Sequence, residues 1–80
     1  ENSMVRYATF DYNLRYSSVK LIQKALDSWA ARGLGKPAVI YSSPYWKEVL
    51  GDSWSGIPIR YVGGVLACEF HLDSEMPRNR

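Results

Sequence analysis

Eighty residues, 46% of them hydrophobic and 22% charged, are enough for one small ordered domain with a single core and too few for a two-domain enzyme. A net charge of +2, ten Lys/Arg against eight Asp/Glu with no run of like sign, gives no electrostatic pointer to a polyanion. No stretch approaches the roughly 18 consecutive apolar residues of a membrane span, and one cysteine, Cys68, can neither staple the fold internally nor complete a zinc-ligand spacing.

In chain order, Glu1-Asn2-Ser3 ahead of Met4 read as a vector-derived scar, and no basic-then-apolar leader follows. From Met4 to Tyr16 the residues alternate, with Ala8, Phe10, Tyr12, Leu14 and Tyr16 on one side, which predicts a strand over about 4–10 with a less certain extension. Ser17 or Ser18 offers an N-cap for a helix from Val19 to Ala31, whose inward stripe is Val19, Ile22, Leu26 and Trp29, widened by Ala25 and Ala30. Gly33 and Gly35 stop it. The run 37–42, β-branched at Val39 and Ile40, predicts a buried strand. Ser43-Pro44 opens a short helix in which Trp46, Val49 and Leu50 face inward. Residues 52–56 read as loop, Ile57 to Val62 as a strand whose Pro58 puts it at an edge or at least makes position 58 a non-pairing one, and Gly63-Gly64 as a two-residue hairpin turn. The last strand, Val65 to Asp73, alternates Leu66, Cys68, Phe70 and Leu72 against Val65, Ala67, Glu69, His71 and Asp73. Residues 75–80 read as a flexible tail. The order β-α-β-α-β-β predicts one α+β domain over 1–80, with two helices packed on one face of a small mixed sheet.

Three sets of residues could carry function. Glu69, His71 and Asp73, with Glu75 beyond them, recur every second residue and so share a strand face about 6–7 Å apart; they suit a divalent metal if the strand bends and Asp11 converges, and otherwise form a solvated face. His71 beside carboxylates could also serve as a general base, but no nucleophile or phosphate-loop motif accompanies it. Arg6-Tyr7, Arg15-Tyr16 and Arg60-Tyr61 interleave phosphate-pairing with base-stacking groups, although neighbours on a strand point to opposite faces. The nucleic-acid set is therefore Arg6, Arg15, Arg60 and Tyr7. Finally, three Trp and six Tyr are a surplus of large rings, and rings anchor protein interfaces. Tyr45, Trp54, Arg60 and Tyr61 are the candidate contacts, with Trp54, in a polar Gly/Ser loop, the expected anchor or else a lid folded over the core.

From Val19 onward the sequence resembles a segment of the tailed-phage major coat proteins and encapsulins. The resemblance runs over residues 19–73 through Leu21-Ile22 to Trp29, Ala38-Val39-Ile40-Tyr41, Ser43-Pro44-Tyr45-Trp46 and Gly56-Ile57-Pro58-Ile59. Coat subunits are several times longer, and their extended arm and spine helix have no room here. What the resemblance implies is a phage or prophage origin and assembly through protein contacts, with no catalytic residue.

The reading that results is a non-enzymatic protein–protein interaction or assembly module without a cofactor or membrane span, forming a dimer or small ring or binding another protein, in a reducing cytoplasm or a virion. The alternatives are a nucleic-acid-binding regulator and, third, a metal-dependent enzyme.

Overall fold

A computed structural model describes residues 4–8 and 14–75 and, within the helix that opens at Leu14, the side chains from Lys20 onward. The described elements are β1 (Met4–Ala8), α1 (Leu14–Ala31), β2 (Val39–Ser42), a 3-10 turn (Pro44–Trp46) that runs into α2 (Lys47–Leu50), β3 (Ser53–Trp54), β4 (Ile57–Tyr61) and β5 (Glu69–Asp73). The five strands make one mixed sheet in the order β1-β5-β2-β4-β3. β2 and β4 run parallel, and every other neighbouring pair is antiparallel. The class is α+β.

α1 begins at Leu14, five residues before the expected start, so Ser17 and Ser18 lie inside it instead of capping it. Leu14 and Arg15 are good helix formers, and extending a formed helix adds one hydrogen bond per residue fixed, whereas a new start must be nucleated. Arg15 and Tyr16 are therefore helical, not part of an extended strand. Ile22, Ala25 and Trp29 are fully buried along the stripe, while Ala30, expected inside, is exposed. The helix closes where the Gly33 N–H bonds to the Ala30 carbonyl at 3.0 Å, with Gly33 at φ +77°, the left-handed cap that glycine adopts without strain.

Ser43 caps the next element as expected: its Oγ accepts from the Tyr45 N–H at 3.2 Å, and Pro44 takes the first helical position. The element is a 3-10 turn followed by one α-helical turn, not a single helix. Trp46 and Leu50 face inward, but Val49 is 44% exposed.

Two strand expectations are corrected. The two-residue hairpin turn lies at Ser55-Gly56, not Gly63-Gly64: Ser55 (φ +51°) and Gly56 (φ +80°) carry the paired positive φ angles that match strand twist. It joins β3 to β4, so residues 53–54, expected as loop, form the edge strand, and Pro58 on β4 lies one strand inside that edge. Pro58 still escapes the ladder. Ile59 N–H bonds to the Asp52 carbonyl at 2.9 Å, so position 58 faces the β2 side, where parallel pairing begins only at Ile59. The second correction concerns the chain after β4. It does not fold back as a hairpin; residues 62–68 cross the end of β2 and insert β5 between β2 and β1.

One apolar core results. Ile22, Ala25 and Trp29 of α1, Trp46, and Leu50 meet Ile40, Ile57, Ile59, Phe70 and Leu72 of the sheet. Phe70 and Leu72 alternate inward as expected, whereas Leu66 stands 63% exposed in the connection and Cys68 is half-buried there, off the strand. The leader 1–3, residues 9–13 with Asp11, and tail residues 76–80 lie outside the described residues. Glu75, the first residue of the expected tail, donates its N–H to Asp73 Oδ1 at 3.0 Å.

Candidate functional site

Strand register decides which side chains can meet. Arg6 opposes His71, His71 opposes Tyr41, and Tyr41 pairs with Arg60. Because a strand alternates its side chains, these four form one row across β1, β5, β2 and β4 on the sheet face opposite Phe70 and Leu72. At about 4.8 Å between strands the row spans roughly 14 Å. Arg6 and Arg60 are exposed at its two ends, and Tyr41 and His71 are half-buried between them. Tyr7 and Tyr61 share the other parity and pack against the core, so the Tyr7 ring is no stacking platform beside Arg6. Arg15 belongs to α1 and not to a strand.

Glu69 and Asp73 lie on the same face as this row and are both buried, at 5% and 4% exposure. This corrects the picture of a solvated alternation: β5 is an interior strand, and the 62–68 connection lies against its outer face. Glu69 holds that connection. Its Oε1 accepts the Leu66 N–H at 3.3 Å and meets His71 Nε2 at 3.2 Å, while Oε2 lies 3.7 Å from Arg6 Nε. Burial pushes the Glu69 carboxyl up, but the Leu66 and His71 hydrogen bonds and the charges of His71 and Arg6 outweigh it and hold the group below its ordinary range. Asp73 does not join them; its Oδ1 caps the turn at Glu75. The expected metal set thus divides into a Glu69–His71 pair and a separate capping carboxylate. Among the described residues no group of three or more His, Cys, Asp or Glu side chains is placed to hold a metal ion.

Between the 62–68 connection and the sheet runs a groove of about 420 Å³, lined by Met4, Tyr41, Val62, Gly64, Val65, His71 and Asp73. Its walls are mainly apolar, with the Asp73 carboxylate and the His71 ring as polar groups. The connection is tied at several points: Val62 N–H to the Ser42 carbonyl (3.0 Å), Glu69 N–H to Leu66 (3.1 Å), and Trp46 Nε1 to the Ala67 carbonyl at 2.7 Å. Sequence reasoning missed the groove because its walls come from three strands and a loop, joined by a register that local pattern does not carry.

The second candidate surface is local. On the 3-10 turn and α2, Tyr45 is 69% exposed and Val49 44% exposed, four residues apart. The Tyr45 ring rests edge-on against the buried Trp46, centroids 4.8 Å apart, so the exposed ring is braced by the core. Lys47 and Glu48 stand exposed beside them. Of the other expected contacts, Arg60 is exposed and Tyr61 half-buried, its hydroxyl donating to the Gly51 carbonyl at 2.5 Å. Burial, with the Asp52 charge second, raises the Tyr61 pKa. Trp54 is not the exposed anchor. It is half-buried, packed against the core from β3, and its Nε1 is buried without a partner among the described residues.

Among the described residues no helix is long and apolar enough to cross a membrane. No family model matches this chain, and no curated protein or solved structure matches it either.

Proposed function

We propose that this chain is a small non-enzymatic module that works through protein–protein contact, assembling with copies of itself into a dimer or small ring. The observation that carries the reading is the braced pair Tyr45 and Val49, large apolar groups held out of the core on an element whose Trp46 and Leu50 are held in it. A ring fixed by its own neighbour loses little entropy when a partner desolvates it. The coat-protein resemblance of residues 19–73 supports assembly as the role and a virion or the cytoplasm of an infected cell as the setting.

Sedimentation equilibrium from micromolar to near-millimolar loading tests this. The expected result is a concentration-dependent mass that Tyr45→Ser returns to the monomer without lowering the melting temperature. A monomer at every concentration refutes self-assembly.

A second reading has its own observation. The row Arg6–His71–Tyr41–Arg60 sets two cations and an aromatic ring on one sheet face, a pattern that suits a single nucleic-acid strand. Retention on single-stranded RNA or DNA that falls steeply with salt, and that Arg6→Ala with Arg60→Ala removes, favours it over the first.

A further inference from the structure

The 62–68 connection consists of two consecutive turns that are held unequally. The first is closed by one bond, Val65 N–H to the Val62 carbonyl at 3.3 Å, with Gly63 and Gly64 at its centre. Neither glycine takes a positive φ, and a Cβ on either would meet no atom within 4 Å. Ordinary residues would fit both positions, so what the glycines add is backbone freedom. The second turn, 66–69, is closed in both directions: Glu69 donates its N–H to the Leu66 carbonyl at 3.1 Å, and the Leu66 N–H returns to Glu69 Oε1 at 3.3 Å. Trp46 then fixes this turn from outside, through the 2.7 Å bond from Nε1 to the Ala67 carbonyl. Among the described residues, that is the one hydrogen bond joining residues 63–68 to a distant part of the chain.

We propose that residues 62–68 form a hinged strap, bending at Gly63-Gly64 and latched by Trp46, that opens without unfolding the sheet. Opening breaks the Trp46 bond and those of the two turns and lifts the buried Val65 side chain, while the ladders of all five strands stay paired. A segment with so few ties beyond itself, and with Leu66 already 63% exposed, opens at less cost than the whole fold.

The strap's position has a consequence on the sheet face. Val62, Gly64 and Val65 line the same groove as Tyr41 and His71, so closing or lifting the strap sets how much of these two half-buried rings a ligand can reach. The strap is a gate on the middle of the Arg6–His71–Tyr41–Arg60 row. It goes beyond the protein-contact reading and does not depend on it, because the opening takes place within one copy.

Hydrogen exchange of the isotope-labelled full chain tests this. It is read at the Trp46 indole N–H, at the Leu66 amide and, as a reference inside the sheet, at the Phe70 amide. The first two are expected to be less protected than Phe70 by about a hundredfold or more. Low urea should leave them unchanged while it speeds Phe70, because lifting the strap exposes little surface. Trp46→Phe removes the latch and should speed Leu66 about tenfold beyond any change at Phe70. Gly63→Ala with Gly64→Ala stiffens the hinge and should slow Leu66 about fivefold. If the parent's Trp46 and Leu66 sites are as protected as Phe70 and share its urea dependence, they open only with the whole fold, and the strap is overturned without recourse to any variant. A Leu66 rate that follows Phe70 in Trp46→Phe, or one unmoved by the paired alanines, overturns it as well.

Discussion

The two faces of the sheet solve the same problem with different chemistry. On the α1 side, Ile40, Ile59, Phe70 and Leu72 are covered by Ile22, Trp29, Trp46 and Leu50, and burial there is apolar against apolar. On the other side Val39, Glu69 and Asp73 are buried too, and the two carboxylates are buried only with partners supplied: Leu66, His71 and Arg6 for Glu69, the Glu75 N–H for Asp73. The first face holds the domain together. The second fixes a loop and with it the shape of a groove. Truncations on the helix face should therefore cost more, and should depend less on pH, than changes on the loop face.

The largest expected effect is Trp46→Ala. It removes a ring that is 2% exposed and the 2.7 Å bond from Nε1 to the Ala67 carbonyl. The cost should be about 3–5 kcal/mol, a large fraction of what a domain this size has to lose. Trp46→Phe keeps most of the packing and loses the bond to the loop, so it separates the two contributions. Urea unfolding measures both; a cost near that of a surface change in Trp46→Ala would break the comparison at its root.

Next comes Trp54, which the sequence leaves open between an interface anchor and a lid over the core. Its ring packs against the core from the edge strand, so Trp54→Ala should cost about 2–3 kcal/mol, less than Trp46→Ala because the ring is only half-buried. Trp54→Phe should cost under about 1 kcal/mol, since the indole N–H it removes is buried with no partner among the described residues. Thermal melts of the pair decide whether Trp54 belongs to the core; an unchanged melting temperature in Trp54→Ala returns it to the role of free anchor.

Features carried by adjacent residues were legible in the sequence; those that needed distant segments to meet were not. The Ile22–Ala25–Trp29 stripe, the Ser43-Pro44 start and the inward Phe70 and Leu72 all follow from local spacing, and the structure contains them. The Gly63-Gly64 turn misled because paired glycines permit a hairpin without requiring one. The chain spends its tight turn at Ser55-Gly56, where the serine itself takes a positive φ. Once β5 enters the middle of the sheet, the expectation of a solvated last strand changes, above all the exposure of Glu69, whereas the placing of Pro58 changes because β3 pairs outside β4. Of the candidate site, Tyr45 was readable as a ring beside a core tryptophan. The row Arg6–His71–Tyr41–Arg60 was not, because it exists only in the register of four strands.

On the loop face, Glu69→Gln should cost about 1–2 kcal/mol near neutral pH, the range for weakening hydrogen bonds to a charged group. The sign of its pH dependence follows from a carboxyl held below its ordinary range when folded. The stabilisation is present above the unfolded-state pKa and is lost as pH falls through the folded one. The parent and Glu69→Gln curves should therefore converge in acid, whereas the deficit of Trp46→Phe should persist. Parallel unfolding at several pH values checks this; a Glu69→Gln deficit that grows in acid contradicts the assignment.

His71→Ala should have the smallest effect of the series. The imidazole is 3.2 Å from Glu69 and its side chain 19% exposed, so its loss is felt. Glu69 is not orphaned, however, because the Leu66 N–H and Arg6 remain beside it. The cost should be about 0.5–1 kcal/mol, below that of Glu69→Gln, because one donor is lost while the carboxylate at the centre of the cluster stays. A double-mutant cycle with Glu69→Gln isolates the pair, and a coupling near zero would mean that the connection is held by the Leu66 bond alone. The same variant tests the metal-dependent alternative. Asp73 caps its own turn and stands apart from the Glu69–His71 pair, so millimolar Mn²⁺ or Zn²⁺ should leave the melting temperature of parent and variant alike unchanged. A rise in the parent that His71→Ala abolishes would require Asp73 to leave Glu75 and turn toward His71, and would make the loop face a metal site instead of a loop clamp.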